Sequence, residues 1–312
     1  MIWLIGAGGM SVDYVKVLEA QNEKFIVIGR GGASANKFEK DTGKAVVTGG
    51  LESFLKTNPE KPTAVIVSVG VEQLYNTAMH LLEYGVKNIL VEKPGGIQAK
   101  DIEHLKECCN NLHADIYVAY NRRFFSSVLK AQEMIKLDGG VTSFNFELTE
   151  WSHEIEKLDK NVDVLATWFL GNTTHVADLA FFLGGKPREI STYTSGGVAW
   201  HPSSSIFAGA GISESGALFN YGADWESAGR WSVEMLTKEN RYIFRPMEAL
   251  SVQKRGTIPQ VAVKVNDELD KEYKPGLYLQ VQAFLANDSA SLCSIKEQYS
   301  LFSTYEQMAG YK

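Results

Sequence analysis

The sequence predicts an α/β protein of two domains, a doubly wound parallel sheet followed by an α+β domain with a mostly antiparallel open sheet and flanking helices. Three observations support this prediction. An apolar run over residues 2–5 enters a glycine-rich turn, apolar strands alternate with helical patterns as far as residue 121, and period-two alternation dominates from there. We therefore assign residues 1–121 to the first domain and residues 122–312 to the second.

The opening strand runs directly into Gly6-Ala7-Gly8-Gly9-Met10-Ser11, and a helical pattern follows. In a strand–turn–helix unit the first glycine permits the tight turn, and the second lets the backbone approach a pyrophosphate. The helix N-terminus then offers N–H groups and a positive dipole end to the phosphates. The third glycine of the fingerprint is replaced by Ser11, which is still small enough for close packing. An ordinary βα turn is the alternative, but the βαβ pattern that follows favours a dinucleotide-binding Rossmann domain.

The second strand, residues 25–28, bears on the choice of cofactor. Chains that bind NAD usually carry an acidic residue at its end to accept a hydrogen bond from the ribose 2′-hydroxyl. Here that position holds Gly29, and Arg30 follows. A guanidinium can pair with a 2′-phosphate, and Ser34 can add a hydroxyl donor. The sequence therefore favours NADP over NAD, with a merely solvated Arg30 as the alternative.

Further strands are predicted near residues 45–47, 63–69, 86–91 and 115–120, with helices between them, which makes six strands in all. Glu92-Lys93-Pro94 follows one of them, at the carboxyl end where open α/β sheets bind ligands. We predict that Ser68, Glu92 and Lys93 contact the cofactor. The Lys93 ammonium can also stabilise an alkoxide developing on a substrate. A surface lysine at a strand end is the alternative.

The second domain begins with a predicted helix over residues 124–137 and ends with two helices over 277–287 and 294–308. Alternating segments between them predict strands at residues 141–148, 189–194, 205–213, 217–221, 231–237, 241–244 and 250–254. A further helix is predicted from Asn172 or Thr173 as the N-cap to Gly184. His175 would lie in its first turn, where the helix dipole disfavours imidazolium, and a neutral imidazole can accept a substrate proton. A packing histidine is the alternative.

Composition excludes several classes of function. The chain has 31 Lys and Arg against 37 Asp and Glu, without the basic block that nucleic acid or an anionic membrane would attract. No apolar stretch approaches the roughly 18 residues that span a bilayer, and no signal peptide is visible. The three cysteines include an adjacent pair, which predicts a reducing, cytoplasmic environment rather than a disulfide framework. No pattern of metal ligands is present, so no metal site is predicted.

Taken together, four segments of the chain resemble the Gfo/Idh/MocA family of glucose–fructose oxidoreductase and inositol dehydrogenase-like enzymes. The resembling segments are Gly6-Ala7-Gly8-Gly9-Met10, Val91-Glu92-Lys93-Pro94, Tyr120-Asn121-Arg122-Arg123-Phe124 and the stretch from His175 to Gly184. The resemblance implies a Rossmann domain, a larger sheet domain for substrate binding and oligomerisation, and a homodimer or homotetramer. It also implies hydride transfer between NAD(P) and a sugar, sugar derivative or cyclitol, with Lys93 and His175 as the catalytic residues.

One departure from the family is that an Asp often stands four residues before the histidine, where this chain has Gly171. Asp178 matches a position that we assign to helix structure. Weaker predictions of substrate contact fall on side chains around the domain junction and the second domain, namely Asn121, Arg123, Trp151, Trp168 and Asn172. Two alternatives stay open: a tightly held NAD(P) used transiently to epimerise or cleave sugars, and a non-catalytic NADP-binding sensor.

Overall fold

The computed structural model describes residues 1–311 and separates into two compact units. The first contains Met1–Asn121 together with Leu269–Ser300, and the second contains Arg122–Glu268 and the chain from Leu301 onward. The segment 269–300 thus belongs to the first unit although it lies far along the chain.

Up to residue 121, strands and helices alternate as β1 (Ile2–Ile5), α1 (Gly9–Ala20), β2 (Phe25–Ile28), α2 (Ala33–Thr42), β3 (Val46–Val47), α3 (Gly50–Leu55), β4 (Ala64–Val67), α4 (Leu74–Tyr84), β5 (Asn88–Val91), α5 (Ala99–Leu112) and β6 (Asp115–Val118). The remaining elements are α6 (Ser126–Leu137), β7 (Ser143–Glu147), α7 (Ser152–Ile155), α8 (Val162–Ala166), α9 (Thr174–Gly184), β8 (Pro187–Ser195), β9 (Ile206–Ser213), β10 (Leu218–Asp224), β11 (Ser232–Leu236), β12 (Asn240–Phe244), β13 (Ser251–Lys254), β14 (Val261–Ala262), α10 (Glu268–Glu272), α11 (Leu277–Leu285), β15 (Cys293–Ser294) and α12 (Ile295–Ala309).

The first unit contains a sheet with the order β15-β6-β5-β4-β1-β2-β3. The six strands expected from the sequence run parallel, and their continuous apolar character follows from burial on both faces: every residue of β1 and β4 is buried. The seventh strand, β15, pairs antiparallel with β6 and comes from the segment 269–300. The predicted doubly wound sheet is confirmed, with this one added edge strand.

The second unit contains an eight-stranded sheet with the order β14-β13-β12-β11-β7-β10-β9-β8. Its pairs are antiparallel except for β7 and β10, which run parallel. The predicted mostly antiparallel sheet is therefore confirmed. The alternation of β7 places Phe144 and Phe146 on the buried face, where the Phe181 ring of α9 meets both edge-on.

Helix α9 approaches this sheet closely at its C-terminus. A Cβ built on Gly184 would lie 2.4 Å from the Phe144 ring, and the C-cap residue Gly185 has a φ of +98°. The predicted Gly184-Gly185 stop is confirmed, because one glycine lets the helix end meet the sheet and the other ends the helix. Among residues 1–311, no helix is both long and apolar enough to cross a membrane. The cysteines Cys108, Cys109 and Cys293 are free thiols.

Candidate cofactor and substrate sites

The glycine turn after β1 is tightly constrained at its first position. The Gly6 N–H donates to the carbonyl of Ile28 at 2.8 Å, and its φ is +121°. A Cβ at Gly6 would lie 2.1 Å from the backbone oxygen of Ser68, so no other residue fits without moving the backbone. The neighbouring Gly8 and Gly9 differ, because a Cβ at either would have no atom within 4 Å. The turn is closed against β4 and open above the start of α1.

We expect Gly6→Ala to lower the free energy of unfolding by about 2–5 kcal/mol, the combined cost of backbone strain and overpacking. Gly9→Ala is the matched control, since its Cβ has open space and alanine is a good helix former. Urea denaturation of both variants checks this. Equal stabilities of the two variants would contradict the close approach of Gly6 to Ser68.

Ser11 stands at the third fingerprint position and is fully buried. Its hydroxyl oxygen lies 3.4 Å from the Ser68 carbonyl oxygen and 3.3 Å from the Ser68 hydroxyl, and the Gly8 N–H donates to it at 3.4 Å. The hydroxyl therefore links α1, the turn and the end of β4. This network explains why a serine is accommodated at the position where the fingerprint has glycine.

The strand register brings most of the predicted cofactor residues to one edge of the first sheet. Ile5 pairs with Ile28 on one side and with Val67 on the other, and Val67 pairs with Val91. The residues that follow these strand ends are Gly6, Gly29 and Arg30, Ser68, and Glu92 and Lys93. They succeed one another over three strand spacings, about 14 Å in all.

Glu92 ties the end of β5 to α1. The buried Tyr14 hydroxyl of α1 donates to Glu92 Oε1 at 2.7 Å. Burial raises the pKa of Glu92, and this is opposed by the Tyr14 hydrogen bond and by the charges of Lys93 and Lys274. Lys93 is half-buried and precedes a cis peptide bond to Pro94. Lys93 therefore lies at the end of β5, next in the chain to the residue that is hydrogen-bonded to α1.

At the end of β2, the position that often carries an acidic residue is crowded. A Cβ at Gly29 would lie 2.9 Å from Val46 Cγ1 and 3.3 Å from the Ala7 Cβ. Arg30 is exposed, and the Ser34 hydroxyl donates to the Gly31 carbonyl at 3.2 Å. An aspartate at position 29 would therefore require Val46 to move, whereas the Arg30 guanidinium is accessible to a ligand.

In the second unit, the helix that carries His175 begins differently from the prediction. A π-helical turn, Phe169–Thr173, leads straight into α9, and neither Asn172 nor Thr173 caps it with its side chain. Thr173 is at the predicted N-cap position but does not cap the helix with its side chain, because its backbone is already helical and the π-helical turn continues directly into α9. The Asn172 and Thr173 side chains both donate to Glu150. Gly171 is buried within the π-helical turn, yet a Cβ built there has no atom within 4 Å. π-helical turns are frequent at functional sites.

Glu150 is the centre of a hydrogen-bond network in the second unit. Its side chain is 2% exposed. Its Oε1 accepts from Trp168 Nε1 at 3.3 Å, Asn172 Nδ2 at 2.9 Å and Thr173 Oγ1 at 2.8 Å, and its Oε2 accepts from Arg230 Nη1 at 3.2 Å. Burial raises the pKa of Glu150, and these donors oppose the rise. The network thus brings together two predicted substrate residues, Trp168 and Asn172.

Aromatic rings and guanidinium groups surround this network. The Arg230 guanidinium carbon lies 4.6 Å from the Trp151 ring and 4.4 Å from the Trp231 ring. Trp151 is half exposed, and its indole N–H donates to the Gly229 carbonyl at 3.0 Å. The His175 ring is 7% exposed, and its centroid lies 6.4 Å from that of Trp231. Trp231 therefore connects the histidine to the Arg230–Glu150 pair.

Two junction residues make contacts within their own units. Arg123 is 2% exposed and pairs bidentately with Asp178 of α9, with distances of 2.9 Å for Nε to Oδ2 and 2.5 Å for Nη2 to Oδ1. The ion pair orients α9 and accounts for the structural role expected of Asp178. The Asn121 side-chain amide donates to the Pro275 carbonyl at 2.8 Å.

Comparisons with known proteins bear on both units. Residues 1–120 match the Gfo/Idh/MocA family model, described as an oxidoreductase family with an NAD-binding Rossmann fold. No curated protein sequence matches the chain. Among solved structures, UDP-N-acetylglucosamine 3-dehydrogenase from Acidithiobacillus ferrooxidans is similar at 14% identity and a TM-score of 0.76, covering 99% of this chain and 97% of that one. Levoglucosan dehydrogenase in complex with NADH is similar at 16% identity and a TM-score of 0.80, covering 99% and 96%.

At identities of 14% and 16%, the similar structures show the fold of the chain. The family match covers residues 1–120 only. Both agree with the resemblance predicted from the four segments. Over 99% of its length the chain has the fold of these two dehydrogenases. Residues 1–120 therefore match the model of the family that the four segments resemble, an oxidoreductase family with an NAD-binding Rossmann fold.

Proposed function

We propose that the protein is an NAD(P)-dependent dehydrogenase or reductase that transfers a hydride between nicotinamide and a hydroxyl or carbonyl carbon of a sugar, sugar derivative or cyclitol. The observation that carries the proposal is the edge of the first sheet, where the glycine turn, Ser68 and Lys93 follow adjacent strands. The family match supports the reaction class. The two similar structures, dehydrogenases of a sugar nucleotide and of levoglucosan by name, support the substrate class.

The residues of the first unit suit a dinucleotide. The turn leaves open space above Gly8 and Gly9 among the described residues, and although the Gly8 N–H donates to Ser11, no side chain accepts from the first-turn N–H groups of α1. Those N–H groups and the helix dipole suit a pyrophosphate. Ala7 and Met10 complete this cradle. When bound, the nicotinamide ring donates or accepts the hydride.

Lys93 and His175 are the proposed catalytic residues. An ammonium at the end of β5 can hydrogen-bond the reacting oxygen and stabilise negative charge on it. A buried neutral imidazole can accept the proton of a substrate hydroxyl, or return it in the reverse direction. We further propose that the Glu150 network holds Asn172 and Trp168 in place as substrate contacts, with Trp151 beside them.

For the cofactor we propose a preference for NADP that depends on Arg30. Arg30→Ala is expected to lower the ratio of kcat/KM values for NADP⁺ over NAD⁺ about tenfold to hundredfold, the worth of a charge-assisted hydrogen bond. Steady-state kinetics with both nucleotides measure this. Lys37→Ala is the control, because Lys37 is exposed on α2 and pairs with Asp41. An unchanged ratio in Arg30→Ala would remove Arg30 from the nucleotide site.

The proposed function is tested by incubating the purified protein with NADP⁺ or NAD⁺ and a panel of sugars, sugar acids, sugar nucleotides and cyclitols. A net change in NAD(P)H absorbance is expected with at least one member. Sugar conversion without net absorbance change would identify the transient use of a held cofactor instead. Native mass spectrometry reports a retained nucleotide and the subunit number, for which we propose a homodimer or homotetramer. A protein that binds neither nucleotide contradicts the proposal.

A further inference from the structure

Arg122 has an unusual environment for a guanidinium. It is half-buried, and its guanidinium carbon lies 4.8 Å from the Trp231 ring and 5.9 Å from the Phe125 ring. Within residues 1–311 it forms no hydrogen bond or ion pair through its side chain. Burial lowers its pKa to about 10, and the charges of Glu248 and Glu150 only partly offset this. Among residues 1–311, no carboxylate contacts this partly buried guanidinium.

Arg230 adds a second positive charge to the same tryptophan. Its guanidinium carbon lies 4.4 Å from the Trp231 ring, its side chain is 45% exposed, and its charge disfavours that of Arg122. One of its five side-chain N–H donors is used by Glu150. Glu150 in turn is shared with Trp168, Asn172 and Thr173, so its charge is spread over four donors.

Trp231 itself carries a third donor. The residue is 7% exposed, and among residues 1–311 its buried indole N–H has no hydrogen-bond partner. A buried donor without an acceptor costs about 1–3 kcal/mol, which a ligand oxygen can recover. The same ring neighbours His175, the proposed proton acceptor. Two guanidinium carbons thus lie within 5 Å of the centroid of one ring, which also carries an unpartnered indole N–H and neighbours the proposed catalytic histidine.

We infer that Arg122, Arg230 and the indole N–H of Trp231 form a subsite for an oxyanion on the substrate, a carboxylate or a phosphate. A guanidinium fork binds such groups through two parallel N–H···O bonds, and a neutral hydroxyl cannot balance its charge. The inference rests on the proposed function and narrows its substrate class to acidic or phosphorylated sugars.

Three probes with one pyranose ring test the subsite: D-glucose, D-glucuronate and D-glucose 6-phosphate. Calorimetric titration into the protein saturated with NADP⁺ measures each affinity. At least one anionic probe is expected to bind about tenfold to hundredfold more tightly than glucose, the range for hydrogen bonds to a charged group. A preference for glucuronate identifies a carboxylate subsite, and one for glucose 6-phosphate identifies a phosphate subsite.

Arg122→Met is the informative variant, because Arg122 makes no side-chain hydrogen bond or ion pair that its removal would break among residues 1–311. It should abolish the preference for the anion, leave glucose affinity unchanged and shift the melting temperature by no more than about 4 °C. Arg122→Lys should retain part of the preference, since it keeps the charge and loses the fork. Arg188→Met, at an exposed arginine of β8 paired with Glu189, is the matched control and should keep the full preference.

Anionic probes that bind no more tightly than glucose, or equally well to wild type and Arg122→Met, overturn the subsite. Hydride transfer is measured separately with the same probes and with neutral sugars. If neutral sugars are turned over and Arg122→Met changes nothing, the proposed dehydrogenase activity is supported and the proposed subsite is rejected. Arg122-dependent anion binding without nicotinamide turnover on any sugar would retain the subsite and reject the dehydrogenase.

Discussion

Replacing His175 with alanine is expected to lower kcat by about 10²–10⁴-fold, the usual contribution of a positioned general acid–base group. His175 is buried in the first turn of α9 beside Trp231, whereas the proposed nucleotide-binding residues belong to the first unit. The affinity for NADP⁺ should therefore persist. Turnover followed by NAD(P)H absorbance and nucleotide affinity followed by fluorescence titration measure the two effects separately.

The matched control for this prediction is His153→Ala. His153 lies on the short helix α7 of the same unit, and its side chain is 69% exposed, so turnover should be unaffected. The melting temperature of both variants shows whether the loss reflects chemistry or folding. Wild-type turnover in His175→Ala would remove the imidazole from the mechanism, and lost nucleotide affinity would contradict its assignment to substrate chemistry.

The largest effect on stability is expected at Arg123. Its guanidinium and the Asp178 carboxylate are 2% and 0% exposed and are joined by two hydrogen bonds. Removing one member of such a pair leaves the other charge buried without its counterion, which typically costs about 3–5 kcal/mol. We expect Arg123→Met to lower the free energy of unfolding by this amount in urea denaturation.

Two further variants make this prediction specific. The adjacent Arg122→Met should cost less than about 1 kcal/mol, because within residues 1–311 no buried carboxylate loses a contact partner. The double variant Arg123→Met with Asp178→Leu should recover much of the lost stability, since apolar residues can replace a buried pair at little cost. If Arg122→Met and Arg123→Met lower the free energy of unfolding equally, the Arg123–Asp178 ion pair does not contribute the stability that we assign to it.

Much of the first unit follows from local sequence. The apolar runs of β1, β4 and β5 predict buried parallel strands, and parallel strands in register bring their carboxyl ends to one edge. Gly6, Ser68 and Lys93 could thus be predicted to share that edge from their positions after three strands. The role of Ser11 could not, because it depends on the Ser68 backbone, which lies 57 residues away in the chain.

The strands of the second unit could be predicted from the sequence, but the contacts around its candidate substrate site could not. Alternation predicts β7 to β13 to within a few residues, because buried residues line one face of most of these strands; β8, which has no buried residue, is the exception. The side-chain cap expected at Asn172 or Thr173 does not form, because a π-helical turn precedes α9 and Thr173 already has a helical backbone. Both side chains donate instead to Glu150, more than 20 residues earlier in the chain. Glu150 itself has no local signature, as a single acidic residue after a strand is equally typical of a solvated loop.

Sequence alone determined the class of fold, the two kinds of sheet, the glycine turn and the residue types available for hydride transfer, because hydrophobic period and turn chemistry act over a few neighbouring residues. Only the tertiary structure decided that β15 returns to pair with β6 and that Arg123 is neutralised by Asp178. It also decided that Arg122 lies beside Trp231 with no counterion in contact among residues 1–311. These outcomes depend on which distant side chains share a volume from which water is excluded, and no local pattern in the chain records that.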